Sequence, residues 1–438
     1  MNLSDSERVI SVLDEHGYTW TDNEEEASLI GIIACSVRQK AIDKVYSRIY
    51  KWNKWKNHKN LVTFISGCIL PSDHEKFLKL FDITFQMKDL PQLPEIISRY
   101  GVATPAQLKV GIDPHNENIE QFWDVKPSYK SDFEAFIPIQ NGCDKFCTFC
   151  AVPFTRGREV SRLSKDIVAE LALLVTQGYK SITLLGQNVN SYGLDKKGEE
   201  ITFPELLRQI GEMGNWLKKE FWVYFTSPHP RDMTDEVVEV IAQYPVLAKQ
   251  IHLPMQSGDD KVLIRMNRKH NMEKYRHIVH TIRRLIPQAT LFTDIIVGFT
   301  GETEEQFENT RKAMDEFRFN MSYTAIYSPR PGATSHRWAD DIPQDEKKRR
   351  LHILTEELRK HNIPYNQGLI GKTLHVLVRG TDRKKGFLSS LTEGKLIVRF
   401  PSSDENLIGQ FANVKITSAS DFSLEGELVE VEEAVSLQ

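Results

Sequence analysis

Six short apolar runs between residues 136 and 327 each end in a polar or glycine-rich segment, with helical stretches between them. Phe136-Ile-Pro-Ile139 leads into a loop rich in cysteine. Ser181-Ile-Thr-Leu-Leu185 ends in Gly186-Gln-Asn-Val-Asn190, and Phe221-Trp-Val-Tyr-Phe225 ends in Thr226-Ser-Pro-His229. Lys249-Gln-Ile-His-Leu253 ends in Pro254-Met-Gln-Ser-Gly258. The runs from Leu291 to Val297 and from Ser322 to Tyr327 end in Gly298-Phe-Thr-Gly-Glu302 and Ser328-Pro-Arg-Pro-Gly332. Continuous apolar runs are the mark of strands buried on both faces in a parallel sheet. Repeated strand–loop–helix units predict a complete or partial β/α barrel, with its working face built from the loops after the strands.

The flanking regions have a different texture. Ser28-Leu-Ile-Gly-Ile-Ile-Ala-Cys35 and Leu61-Val-Thr-Phe-Ile-Ser-Gly-Cys68 are buried-strand patterns that each deliver a cysteine at the carboxyl end, where open α/β sheets gather ligands. A shorter strand is expected at Asp82-Ile-Thr-Phe-Gln86, with helices over 5–15 and 37–52. Residues 106–131 have no period and read as a linker. A long charged helix is expected over 347–366, and then short strands at 373–379, 395–400 and 411–417 predict a small all-β barrel. The fold class is therefore multidomain α/β: an open parallel α/β domain over 1–105, a partial β/α barrel over 132–366, an all-β barrel over 367–432 and a tail at 433–438.

The chain has 438 residues, 40% hydrophobic and 26% charged, enough for two or three ordinary cores. No apolar run reaches the roughly 18–20 residues of a membrane span, and the amino end carries no basic-then-apolar leader. Sparse cysteines without an export signal predict a reducing, cytoplasmic setting. The net charge of −4 argues against a strongly basic nucleic-acid coat but leaves room for local basic stretches, such as Lys51 to Lys59 and Arg379 to Lys385.

Three of the five cysteines stand together in Gly142-Cys143-Asp-Lys-Phe-Cys147-Thr-Phe-Cys150. The CxxxCxxC spacing suits three corners of a 4Fe-4S cluster, leaving one iron without a protein ligand and open to a cofactor or substrate. Half of a zinc site is a poorer match, because there is no second CxxC pair and the nearest downstream histidine is His229. Five scattered cysteines make a poor disulfide framework. Cys35 and Cys68 have two readings, ligands of a second site or small core hydrophobes.

With these residues assembled, the chain resembles the radical S-adenosylmethionine (SAM) methylthiotransferase family over almost its whole length. The resemblance rests on CxxxCxxC inside a β/α barrel, on Val152-Pro-Phe-Thr-Arg-Gly-Arg158, and on Cys35-Ser-Val-Arg38 and Ser66-Gly-Cys68. Leu185-Gly-Gln-Asn-Val-Asn-Ser191, Thr226-Ser-Pro-His-Pro230 and Tyr327-Ser-Pro-Arg-Pro-Gly332 resemble the branch that methylthiolates C2 of N6-isopentenyladenosine beside the tRNA anticodon. The resemblance implies that the carboxyl-terminal barrel is an RNA-binding TRAM domain. It implies SAM and two 4Fe-4S clusters as cofactors: one on Cys143, Cys147 and Cys150 that cleaves SAM, and a sulfur-supplying one on Cys35 and Cys68. tRNA, an electron donor and a sulfur or cluster-assembly source are the implied partners, with no membrane. The alternatives are another tRNA base, a ribosomal protein, or a catalytically reduced RNA-binding relative.

Further site residues follow from the loops. Phe149, Gln187, Asn188, Gly298 and Arg156 are expected at the cofactor, and Asn190, Gln256, Ser257 and Arg158 at the substrate. Each loop residue has an ordinary reading as a turn or cap, and each arginine as an ion pair. The family's pattern opens with a strand and Gly-Cys-Gln-Met-Asn, whereas this chain opens Met1-Asn2 and reaches Asp5-Ser-Glu7. The first strand and the first of three second-cluster cysteines are thus missing from the pattern, by a start placed at an internal Met, by truncation, or by real loss of the second cluster. Ile33-Ala34 also replaces the family's Asn-Thr, and Arg268-Lys-His-Asn271 departs from its pattern.

Overall fold

The computed structural model describes residues 1–35, 39–100 and 119–431. The expected Ser36-Val-Arg38 string, the first half of the linker and the tail lie outside the described residues. Three parallel strands, Leu29–Cys35, Val62–Cys68 and Ile83–Thr84, form the first sheet in that order. Helices Gln39–Trp55 and Pro71–Phe77 make the crossovers. The register sets Cys35 directly beside Cys68 at the carboxyl edge. Apolar clusters lie on the two faces of this sheet, one with Ile30, Ile49 and Ile65, the other with Val9, Phe64 and Leu90. The third strand is only two residues long, shorter than the run at 82–86 suggested.

Within the stretch read as a linker, Ile119–Asp124 forms a short helix. Ile119, Phe122 and Trp123, spaced i, i+3 and i+4, share one face and are buried in the amino-terminal core. Six residues are too few to show a helical period in sequence.

The central region holds the expected six parallel strands as two three-stranded sheets. Glu134–Pro138, Ser181–Leu185 and Trp222–Phe225 form one; Gln250–His252, Thr290–Val297 and Met321–Ile326 form the other. A parallel bridge between Val223 and Leu247 joins them into a partial barrel. Amphipathic helices cover its outside, including Phe203–Leu217 and Glu304–Phe317. Each of these two starts with a reciprocal cap, Thr202 with Glu205 and Thr303 with Gln306, which satisfies amide donors the first turn leaves open. Long helix Gln344–Gln367 leads to the last domain.

That domain is a closed barrel of five strands: Thr373–Thr381, Phe387–Thr392, Ile397–Pro401, Ser423–Val431 and Phe411–Ala419, in spatial order. Closure removes the sheet edges. Its Leu377 and Phe411 pack on Trp222, Tyr224 and Ala248 of the central sheet. The Trp222 and Phe411 rings meet at 4.8 Å, and burying one such side chain contributes about 1.5–3 kcal/mol. No described helix is long and apolar enough to cross a membrane.

Candidate active site

The cysteine triplet follows the first barrel strand. Gly142 has φ +79° there, and a Cβ would fall 1.9 Å from the Arg158 carbonyl, so only glycine lets the loop turn so tightly. Cys143 N–H donates to the Gly157 carbonyl at 3.2 Å. Thr148 N–H donates to the Met266 carbonyl at 3.0 Å, and its hydroxyl to the Arg265 carbonyl at 2.8 Å. The loop is thus fastened on both sides before any ligand binds.

Burial pushes the Cys143 thiol up to about 12 and the Cys150 thiol up to about 11. Such thiols ionise only when a cation offsets the cost, as metal binding does. The spacing of the sulfurs decides which metal group fits. Two Zn–S bonds of about 2.3 Å span at most about 4.6 Å. Among the described residues only Asp315, Glu357 and His361 have ligand atoms all within 4.8 Å of one another. The three sulfurs are therefore not all within 4.8 Å of one another, a spread that suits a multi-iron cluster better than a single ion. The Asp315 group is an ion-pair network instead, with Arg311 and Lys360 both on Glu357.

Cys35 and Cys68 lie beside this loop. Arg156, expected at the cofactor, is buried against Cys68. Its Nε donates to Cys68 Sγ at 3.0 Å, and its Nη2 donates to Asp5 Oδ2 at 2.5 Å. The Asn141 side-chain amide donates to the Arg156 carbonyl at 3.1 Å. Burial pushes the Cys68 thiol up against the opposing pull of Arg156. Cys68 and Cys150 are close enough for each charge to bear on the other. Arg330, in the loop after the last barrel strand, faces Asp43, Asp73 and Cys35.

The other predicted residues divide into two sets. Gln187 Oε1 and Asn188 Oδ1 are buried without a protein partner. Buried acceptors are normally satisfied, so orphaned oxygens beside a binding loop fit a missing polar ligand. The remaining residues make contacts within the protein. Asn190 clamps the His229 backbone, accepting its N–H at 2.7 Å and donating to its carbonyl at 2.9 Å. Gln256 sits at φ +70° and bridges to the strand Thr290–Val297 through Asp294 and Ile296. Ser257 accepts from Asp259 N–H at 3.3 Å and meets the Thr310 hydroxyl. Gly298 at φ +68° makes room for Lys347, whose Cγ would be 2.4 Å from a Cβ. Phe149 packs edge-on against Phe299. Arg158 pairs with Asp144 at 3.0 Å and is largely exposed.

Several groups in the site were not foreseen. Lys145, inside the triplet, forms a buried ion pair with Asp232 at 2.6 Å. Asp232 also accepts from Asn188 at 3.2 Å. Arg268 reaches Cys147 Sγ at 3.4 Å. His229 and His270 meet edge-on with ring centres 5.7 Å apart. Burial and the Arg268 charge lower both, His270 to about 3. His229 Nδ1 accepts from Arg231 N–H, which leaves the proton on Nε2. The sequence signals for His229 are its place at the end of a barrel strand and inside the string Thr226-Ser-Pro-His-Pro230.

The comparisons agree with this geometry. The Radical SAM superfamily model matches residues 137–314, the TRAM domain model 367–429, and the model described as uncharacterized protein family UPF0004 residues 1–87. The tRNA-2-methylthio-N(6)-dimethylallyladenosine synthase of Cronobacter sakazakii is 36% identical over 446 residues, spanning 100% of this chain and 92% of that protein. The enzyme of the same name from Salmonella arizonae is 37% identical over the same spans. Among solved structures, the radical SAM methyltransferase TsrM from Kitasatospora setae, with tryptophan and a SAM analog bound, superposes with TM-score 0.58. It is 13% identical, covering 76% of this chain and 72% of that one, a likeness of fold. The chain belongs to the tRNA-2-methylthio-N(6)-dimethylallyladenosine synthase family of radical SAM transferases.

Proposed function

We propose that this protein adds a methylthio group to C2 of N6-isopentenyladenosine beside the tRNA anticodon. The observation that carries the reading is full-length likeness to enzymes of that name, joined to a largely buried three-cysteine loop at the mouth of the barrel. Cys143, Cys147 and Cys150 hold a 4Fe-4S cluster in this reading, and Gln187 and Asn188 receive polar groups of SAM. When bound, the cluster and SAM supply the one-electron chemistry that opens an unreactive C–H bond. The chain's own part is placement. Gly142 and Thr148 fix the cysteine loop, Asn190 fixes His229, and the Lys145–Asp232 pair fixes Asn188. Cys35 and Cys68 are proposed ligands of a second cluster, and Arg156 holds that pair against the barrel. The TRAM barrel is the proposed tRNA-binding element, and a cytoplasmic setting suits such a substrate.

The test is mass spectrometry of tRNA nucleosides from a strain lacking its own enzyme and supplied with this chain. The methylthiolated nucleoside is expected to return. Unchanged N6-isopentenyladenosine, from protein whose triplet carries its iron, would refute the reading. It would favour an RNA-binding relative with one working cluster. Iron analysis separates the two further: about four irons per chain means one 4Fe-4S cluster, and about eight means two.

A further inference from the structure

We propose that Arg268 is a positioning residue that tunes the triplet cluster: its guanidinium donates an N–H···S hydrogen bond to Cys147 and raises the potential at which the cluster accepts an electron. The inference rests on the reading that Cys143, Cys147 and Cys150 hold a 4Fe-4S cluster. Arg268 is 5% exposed. Its Nη1 lies 3.4 Å from Cys147 Sγ, and its Nη2 donates to the Pro254 carbonyl at 3.1 Å. Among the described residues no carboxylate lies within ion-pair distance of it to neutralise its charge beside the sulfur. Arg156, the guanidinium at Cys68, is by contrast ion-paired with Asp5.

The backbone shows that this placement is enforced. Asn267 and Lys269, on either side of Arg268, have φ +56° and +55°, a left-handed conformation that L-residues adopt at a cost. Phe146, beside Cys147, has φ +50°. The two strained turns are stitched together. The Asn267 side-chain amide donates to the Phe146 carbonyl at 2.9 Å and the Lys145 carbonyl at 3.4 Å. Thr148 donates to the Met266 and Arg265 carbonyls. The Arg268–Cys147 contact lies in the middle of this seam, so the guanidinium is held at the sulfur from both sides.

Cluster potentials follow net charge, hydrogen bonds to sulfur and solvent exposure. One electron makes the cluster more negative by one charge. A buried cation donating to a ligand sulfur stabilises that reduced form over the oxidised one. The electron in the test comes from dithionite, and no proton or bond is exchanged.

The experiment is a dithionite titration of the reconstituted full-length protein, followed by electron paramagnetic resonance, with iron content and SAM binding measured on the same samples. In Arg268→Gln the iron stays, and the reduced-to-oxidised ratio at a fixed potential falls about tenfold, a shift of about 59 mV to the negative. Asn267→Ala keeps the guanidinium but loosens its seat, and it shifts the ratio in the same direction by less. An unshifted potential in Arg268→Gln overturns the proposal, and weakened SAM binding alongside would make Arg268 a cofactor ligand. Loss of iron from Arg268→Gln, with an unshifted potential in Asn267→Ala, also overturns it and leaves a structural role. If no variant, nor the parent, takes up triplet iron, the underlying reading fails instead.

Discussion

The two cysteine groups are built in opposite ways. The triplet is local: Cys143, Cys147 and Cys150 share one loop, and a glycine turn and bonds to the 265–268 loop give it shape. The pair is assembled from afar. Cys35 and Cys68 meet only because two strands run parallel in register, and Arg156, from the barrel side, ties Cys68 to Asp5 on the first helix. Each group has one buried guanidinium at one sulfur, but only Arg156 has a carboxylate to answer it. A loop of this kind can keep its shape through changes elsewhere, whereas the pair depends on the register of two strands, and its guanidinium on the docking of the barrel against them.

The strongest way to break the comparison is at the sulfurs. Cys147→Ser is expected to remove the triplet's cluster and leave no detectable methylthio product. Cys68→Ser is expected to leave triplet iron and its dithionite-reduced resonance signal in place while product falls. Iron and sulfide assays with nucleoside analysis check both. Loss of the triplet signal in Cys68→Ser would show that the groups are not independent.

Much of this contrast can be read in the sequence, but not its fastenings. The runs at 29–35, 62–68 and 181–185 are apolar enough to declare buried parallel strands, and the CxxxCxxC spacing is local. The TRAM strands Phe387–Thr392 and Ser423–Val431 were missed. Phe387 and Leu388 are adjacent instead of alternating, and the last strand is acidic with a glycine inside it. Loop polarity was the least legible. Asn190, Ser257 and Gly298 stand at strand ends as ligand residues do, and within the protein Asn190 holds the His229 backbone, Ser257 meets Thr310 and Gly298 makes room for Lys347. Nothing in a single sequence distinguishes a side chain turned toward a cavity from one turned toward a neighbouring backbone. The partner of Arg156, Asp5, lies 151 positions away in the chain, beyond the reach of any local pattern.

The next largest effect is expected at that ion pair. Arg156 and Asp5 have side chains 4% and 0% exposed. Arg156→Met leaves a buried carboxylate without its cation, a change that costs about 3–5 kcal/mol in such pairs. The double variant Arg156→Met, Asp5→Leu removes both charges, and is expected to recover most of that loss. Chemical denaturation of the four proteins measures the coupling. The loss is expected in the amino-terminal domain first, where amide exchange around Cys68 should quicken while the triplet loop stays protected. Equal losses in both regions would mean that the triplet also leans on the seam.

A smaller effect separates the two groups by pH. Glu159, beside the triplet, is 8% exposed and has one oxygen without a partner. Burial raises it from 4.5 to about 7, against the pull of Ser191 and Lys145. The folded protein therefore holds this proton between pH 4.5 and about 7 where the unfolded chain has released it. This contribution to stability is present below 4.5 and lost as pH rises through 7. A shift of that size corresponds to roughly 3 kcal/mol at most. Glu159→Gln keeps the shape without the charge, so it should gain stability over the parent above pH 7 and match it near pH 4.5. Arg156 stays charged across this range, held so by Asp5 and Cys68 against burial. Denaturation of metal-free protein between pH 5 and 8 reads the difference. A parent whose stability does not fall across that range, with Glu159→Gln tracking it, would show the Glu159 carboxylate to be solvated and the triplet loop to be as indifferent to pH as the seam at Cys68.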